Sequence, residues 1–262
     1  MSADAILAVR DLEKTFGSVV AARDITLDIP PRQVVGMIGA NGAGKTTFIN
    51  MITGHLRPSK GSIRFEDRDI TGLASRQITR MGISRSFQVA QIFPSLTVFE
   101  SMCAAAAIAR GADSMFARAL TPLRSRETLA EAEAAIELFR IASYRDVCSA
   151  TLPQGVRKLL DIAMATVGAP RVLLLDEPTS GISVEEKFEL MDVVMSALKS
   201  RNTTVLFVEH DMEIVSRFAE RVLAFYDGTV IADGAPAVAL ADARVQALIS
   251  GTKPAAVEAA DA

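Results

Sequence analysis

The chain alternates short, wholly apolar runs with longer stretches in which apolar residues recur at helical spacing. Val34-Val35-Gly36-Met37-Ile38, Val172-Leu173-Leu174-Leu175 and Val205-Leu206-Phe207-Val208 are each about one strand long and show no polar alternation. Such runs suit strands covered on both faces, as in a parallel sheet. Further strand signals lie at residues 6–9, 25–29, 62–65, 83–87 and 222–226. Helical patterns follow Lys45, fill 126–139, and cover 156–166, 184–198 and 212–219. Asp227-Gly228, between the strand at 222–226 and a run at 229–232, predicts a hairpin. Strands alternating with helices predict an α/β fold around a parallel sheet. Residues 89–152 break the pattern: they are rich in Ala and Arg, helical in spacing and nearly free of strand signals. They predict a helical lobe inserted into the α/β core, with 111–125 its least regular part.

Composition narrows the classes. With 262 residues, half of them hydrophobic and none Trp, the chain can bury an aliphatic core. A net charge of −3 and a pI near 5.6 give no basic character for nucleic acid. Cys103 and Cys148 lack metal-ligand spacing and are expected as free core residues in a reducing compartment. No secretory signal opens the sequence. The longest apolar run, 102–109, is too short to span a bilayer, so any membrane association is expected to come through partners. Residues 252–262 read as a flexible tail.

The densest chemical signal follows the strand at 34–38. Gly39-Ala40-Asn41-Gly42-Ala43-Gly44-Lys45-Thr46-Thr47 has the spacing G-x-x-x-x-G-K-[ST] between a strand and a helix. Glycines let successive backbone N–H groups converge on a phosphate, and the helix N-terminus adds its positive end. Lys45 is suited to the β/γ-phosphates and the Thr46 hydroxyl to Mg²⁺. The motif predicts binding of a nucleoside triphosphate.

Two other strand ends carry polar groups. The run at 172–175 ends in Asp176-Glu177, followed by Pro178-Thr179-Ser180-Gly181. Asp176 fits an acid that holds Mg²⁺ through water, and Glu177 fits a base or orienter for an attacking water. His210 follows the run at 205–208, one helix and one strand later, and is expected beside Glu177, within reach of the γ-phosphate. His55, in a Gly-Pro-bounded turn, reads as a solvated loop residue.

In this order the segments resemble the ATP-binding subunits of ABC transporters, over residues 7–251. That resemblance implies a P-loop NTPase of RecA-like core, with an antiparallel β lobe near 6–30 and 62–70, the helical lobe at about 89–152, and ATP with Mg²⁺ as cofactors. It also assigns residues. Phe16 occupies the position of the aromatic that stacks on adenine. Residues 39–47 match the Walker A loop. Gln88 matches the glutamine that senses Mg²⁺ and the γ-phosphate. Asp176-Glu177 match the end of Walker B, and His210 the switch histidine. Two segments depart from the family: Leu152-Pro153-Gln154-Gly155-Val156 stands where Leu-Ser-Gly-Gly-Gln is usual, and Ile182-Ser183 where Leu-Asp or Leu-Asn is usual. The phrase Gly82-Ile83-Ser84-Arg85-Ser86-Phe87-Gln88 and the ending near 232–251 are similar to those of branched-chain amino-acid importer ATPases.

The resemblance implies an importer ATPase, peripheral on the cytoplasmic face of the inner membrane. Its partners would be two permease subunits, a second ATP-binding subunit and, indirectly, a solute-binding protein. Because Pro153 lacks a hydroxyl, the expected pair is a heterodimer whose second member has an intact signature. Alternatives are a soluble ABC-type ATPase, an exporter ATPase, a GTPase or a small-molecule kinase. No Asn-Lys-x-Asp element supports a GTPase, and Arg118, Arg124 and Arg126 are the only candidates for a kinase lid.

Overall fold

The computed structural model describes residues 5–86, 92–110 and 125–250. Strands β1 (Leu7–Phe16) and β2 (Val19–Ile29) form an antiparallel hairpin; β4 (Lys60–Phe65) and the short β5 (Arg68–Asp69) extend it on the β1 side. The central sheet comprises β3 (Val34–Ile38), β6 (Ile83–Ser86), β7 (Val172–Asp176), β8 (Thr204–Val208), β9 (Arg221–Tyr226) and β10 (Thr229–Gly234). Its order is β10-β9-β3-β8-β7-β6, parallel except for β10. The β9–β10 hairpin turns on Asp227 and Gly228, with φ of 46° and 75°, the double left-handed conformation that tight hairpins favour.

The wholly apolar strands follow from two cores, one on each face of the sheet. Along β7, Val172 and Leu174 join Phe48, Phe65 and the β1–β2 hairpin, whereas Leu173 and Leu175 join the helical side with Leu160, Met191 and Ile214. Side chains alternate along a strand, so a run buried on both faces has no room for polar alternation. Each such leucine contributes on the order of 1.5–3 kcal/mol.

Helix α1 (Lys45–Ile52) follows β3, and α2 (Ser75–Met81) precedes β6. Between β6 and β7 lie α3 (Val98–Arg110), α4 (Arg126–Leu138) and α5 (Gln154–Thr166). After β7 come α6 (Val184–Ser200), α7 (Met212–Phe218) and α8 (Pro236–Ala241). The described part of the 89–152 region is helical, apart from turns and an isolated bridge between Thr97 and Cys148. The tail at 252–262 and most of 111–125 lie outside the described residues.

Several elements depart from the sequence pattern. β1 and β2 run to ten and eleven residues because each is an antiparallel strand with one wet face, where polar residues hide the apolar period. α5 begins at Gln154, two residues before the expected start at 156. Cys103 is buried and Cys148 half-buried. No described helix is long and apolar enough to cross a membrane.

Candidate active site

The carboxyl ends of β3, β8 and β7 lie level with one another. Met37 pairs with Val208, and Val208 with Asp176. The loop after β3, Glu209-His210 after β8 and Glu177 after β7 therefore leave the sheet along one edge. Open parallel sheets bind their ligands at that edge.

Residues 39–44 form a tight loop. Gly39 and Gly44 have φ of 150° and 104°. A Cβ on Gly39 would stand 2.4 Å from the Phe225 carbonyl oxygen, and one on Gly44 2.8 Å from that of Ala21. Both positions exclude a side chain by conformation and by space. Neighbouring strands hold the loop, since Gly228 donates its N–H to Ala43 O at 3.1 Å and Arg23 donates to Gly228 O at 2.8 Å. α1 then starts at Lys45 with Gly44 as a cap that has no side chain. Its first amides have no intrahelical acceptor, which is the arrangement that receives an anion.

Lys45 is buried, and its Nζ donates to Gly39 O at 2.5 Å and to Ala40 O at 3.0 Å. Burial lowers its pKa, and the charges of Glu177 and Asp176 oppose that shift. A cation held between a ring of amides and two acids matches a phosphate flanked by a metal. Ala40, Asn41, Gly42 and Thr46 are exposed along the loop, and Thr47 is half-buried.

Glu177 has φ of 47°, a left-handed conformation that costs about 1–3 kcal/mol for a residue with a side chain. Its N–H donates to Val208 O at 3.1 Å, which turns the residue off β7 and across the end of β8. His210 Nε2 lies 3.0 Å from Glu177 Oε1. Behind this pair sits Glu209, 4% exposed, accepting from the Thr179 N–H at 2.9 Å and the Thr179 hydroxyl at 2.7 Å. Burial raises the Glu209 pKa; the Thr179 and His210 hydrogen bonds oppose the shift, and the Glu177 charge adds to it.

Asp176 is buried, and its Oδ2 accepts from Arg85 Nη2 at 2.5 Å. Arg85 Nη1 donates to Asn50 Oδ1 at 2.7 Å. Lys158, buried on α5, has its pKa lowered by burial, against the charges of Asp161, Asp176, Glu209 and Glu177. Among the described residues no group of three or more His, Cys, Asp or Glu side chains could hold a metal ion. Thr46 and Asp176 supply oxygen donors, the ligand chemistry that Mg²⁺ takes in company with nucleotide phosphates.

Phe16 ends β1 and is 51% exposed, with Lys14 Nζ 5.0 Å from its ring centroid. The adjoining strand β2 reaches the phosphate loop at Ala21, so the ring sits on the hairpin that borders the loop. Gln88 lies outside the described residues, as do Arg118 and Arg124. Arg126 is exposed in the first turn of α4. His55 is exposed in its turn, with Nδ1 3.0 Å from the Thr53 hydroxyl.

The two unusual segments have local explanations. Pro153 is the N-cap of α5 and makes no side-chain cap bond, so that helix begins with uncapped amides at Gln154, Gly155 and Val156. Ser183 caps α6 by accepting from Glu186 N–H at 3.3 Å, a cap worth about 1 kcal/mol. Sequence reasoning missed Asn50, Arg85, Lys158, Thr179 and Glu209 as parts of this site. The available signal was charge beside apolar segments, Lys158 on the buried face of α5 and Glu209 closing an apolar run, whereas Arg85 stands at a half-buried position of the polar strand Ile83-Ser84-Arg85-Ser86 and gave no such signal.

The sequence model of the ABC transporter family matches residues 22–180. The high-affinity branched-chain amino acid transport ATP-binding protein LivG of Salmonella typhimurium is 34% identical over 234 residues, covering 88% of this chain and 92% of LivG. The lipopolysaccharide export system ATP-binding protein LptB of Haemophilus influenzae is 31% identical, covering 94% of this chain and 97% of LptB. The crystal structure of the ADP conformation of MJ1267, an ATP-binding cassette of an ABC transporter, superposes with a TM-score of 0.82 at 27% identity, covering 93% of this chain and 98% of MJ1267. Family match, relatives and fold agree, and the chain belongs to the ATP-binding subunits of ABC transporters, close to the ATPases of branched-chain amino-acid transport.

Proposed function

We propose that this ATPase drives uptake of branched-chain amino acids or related small solutes, and that residues 39–47, Asp176, Glu177 and His210 form its hydrolytic half-site. The observation that carries the site is the 3.0 Å contact between Glu177 and His210 at the edge shared with the phosphate loop. Backbone amides of the loop and Lys45 hold the phosphates, and Phe16 stacks on adenine. Thr46, Asp176 and Gln88 hold Mg²⁺. When bound, that ion neutralises charge on the β- and γ-phosphate oxygens. Glu177 polarises a water for in-line attack, and His210 steadies the γ-phosphate. Charge stabilisation and positioning carry most of a phosphoryl transfer.

The chain works at the cytoplasmic face of the inner membrane, on two permease subunits fed by a solute-binding protein. It pairs with a second ATP-binding subunit. Uncapped amides at Gln154–Val156 leave that segment able to bind phosphate, while Pro153 removes the usual hydroxyl. The half-site built on Lys45 and Glu177 is then the more active of the two. Mutating the catalytic glutamate in each subunit separately tests this: Glu177→Gln removes most activity and the partner's mutation little, whereas equal losses overturn the asymmetry.

The likeness to LivG supports import, and the likeness to LptB makes export the competing reading. Uptake of radiolabelled leucine, isoleucine and valine in a strain lacking this gene decides between them. Reduced uptake, restored by the wild-type chain and not by Glu177→Gln, supports import. Unchanged uptake of all three rules out branched-chain amino acids as the solute.

A further inference from the structure

Arg85 is a cation inside the central sheet, and it spans three elements. It stands on β6, donates to Asn50 on α1, and pairs with Asp176 at the end of β7. The Arg85 and Asp176 side chains are only 10% and 12% exposed, so solvent screens the pair little. A buried ion pair is weak evidence for stability, because desolvation offsets most of the attraction. What such a pair does well is fix geometry. The planar guanidinium offers donors in a rigid fork, and here two of its nitrogens reach partners on different elements. Asn50 lies on the helix that begins at Lys45 and Thr46, so the fork ties the phosphate-loop helix to the strand-end acid.

We infer that Arg85 is a positioning residue for the metal: held by Asn50, it fixes the Asp176 carboxylate through Oδ2 and leaves the second oxygen as the acceptor for the metal shell. The inference rests on Asp176 as a metal-holding acid. Groups that orient a metal-binding carboxylate are worth about 10–100-fold in metal affinity when removed. Arg85 also lines a cleft of about 350 Å³ between β6 and the helical region, together with His55, Phe93, Asp161 and Met164. One side chain thus borders both the cleft and the metal-holding acid.

The test is the metal dependence of nucleotide binding by the full-length chain. A fluorescent ATP analogue is titrated in EDTA and then across a Mg²⁺ series, and Mn²⁺ binding in the presence of ADP is followed by electron paramagnetic resonance. Arg85→Met should raise the metal concentration for half-maximal effect about 10–100-fold, with metal-free nucleotide affinity within about twofold of wild type. Arg85→Lys should fall between the two, because an ammonium cannot hold Asn50 and Asp176 in one planar fork. If Arg85→Met fails to fold, Arg85→Lys carries the test, with thermal melting as the control. An unchanged metal dependence in the folded variant overturns the inference, and so does tighter metal binding, which would make Arg85 a competitor of the ion. Asp176→Asn separates the two layers. Should it lose the metal dependence while Arg85→Met keeps it, only the role of Arg85 falls; should both keep it, the metal is not held by Asp176 at all.

Discussion

His210 and Glu177 come from neighbouring strand ends and meet at 3.0 Å, Nε2 to Oε1. Thirty-three positions separate them along the chain. They meet because β8 pairs directly with β7 and because Glu177 adopts a left-handed backbone that carries it across the end of β8. The contact lies at the same sheet edge as the loop that begins at Gly39.

Glu177→Gln should bind Mg-ATP with near-normal affinity and hydrolyse it about 10²–10⁴-fold more slowly. Steady-state phosphate release by the assembled transporter measures this. Turnover within about threefold of wild type would remove Glu177 from the water-activating role.

Lys45→Ala should weaken nucleotide binding by on the order of 10–100-fold, because a charge-assisted contact to phosphate is worth about 1.5–3 kcal/mol. Its two hydrogen bonds to loop carbonyls vanish as well. Fluorescent-ATP titration, with circular dichroism to check the fold, reads the effect. Unchanged affinity would sink the phosphate-loop assignment.

Gly39→Ala should lower the melting temperature by several degrees. Its φ of 150° and the Phe225 carbonyl 2.4 Å from the added Cβ leave no room to relax. A cost of about 1–3 kcal/mol corresponds to roughly 2–4 °C per kcal/mol in a chain of this size. Gly155→Ala is the contrast: nothing stands within 4 Å of its Cβ, and it lies in α5. It should melt at or above the wild-type temperature, since alanine favours helix by up to about 1 kcal/mol. Equal melting temperatures for the two variants would refute the steric reading of Gly39.

The Glu209 carboxyl has its pKa raised by burial. The folded state therefore binds this proton more readily than the unfolded chain does. On this account stability should rise as pH falls from the folded pKa toward the unfolded carboxylate value near about 4.3. Glu209→Gln removes the titration while keeping one acceptor for Thr179. The melting-temperature difference, wild type minus variant, should grow as pH falls from 7 to 5. A difference that is flat or shrinks over that range would contradict the buried, proton-favouring environment.

Much of this protein is legible in its sequence because the determining forces are local. The spacing of Gly39, Gly44, Lys45 and Thr46 specifies the loop's own backbone conformation and the start of the helix that follows, while neighbouring strands hold the loop in place. The apolar runs at 34–38, 172–176 and 204–208 match β3, β7 and β8 because strands buried on two faces leave an unbroken apolar signature. Asp227-Gly228 specifies its hairpin through two left-handed residues. The wet-faced strands β1 and β2 were legible only in fragments, since polar residues on one face mask their length.

What only the tertiary structure decided is which charges meet. Arg85, Asn50 and Asp176 lie on three elements separated by up to 126 positions, and no local pattern pairs them. Thr179 and Glu209 likewise meet across two strand ends. Such contacts depend on the order and level of strands β6, β7, β8 and β3, a product of how two cores close on one sheet. Sequence specified the phosphate loop and the acids, because backbone conformation and residue chemistry act over a few positions. The sheet supplied the orientation of those acids, because a buried charge takes its geometry from whichever partner the packing brings within reach.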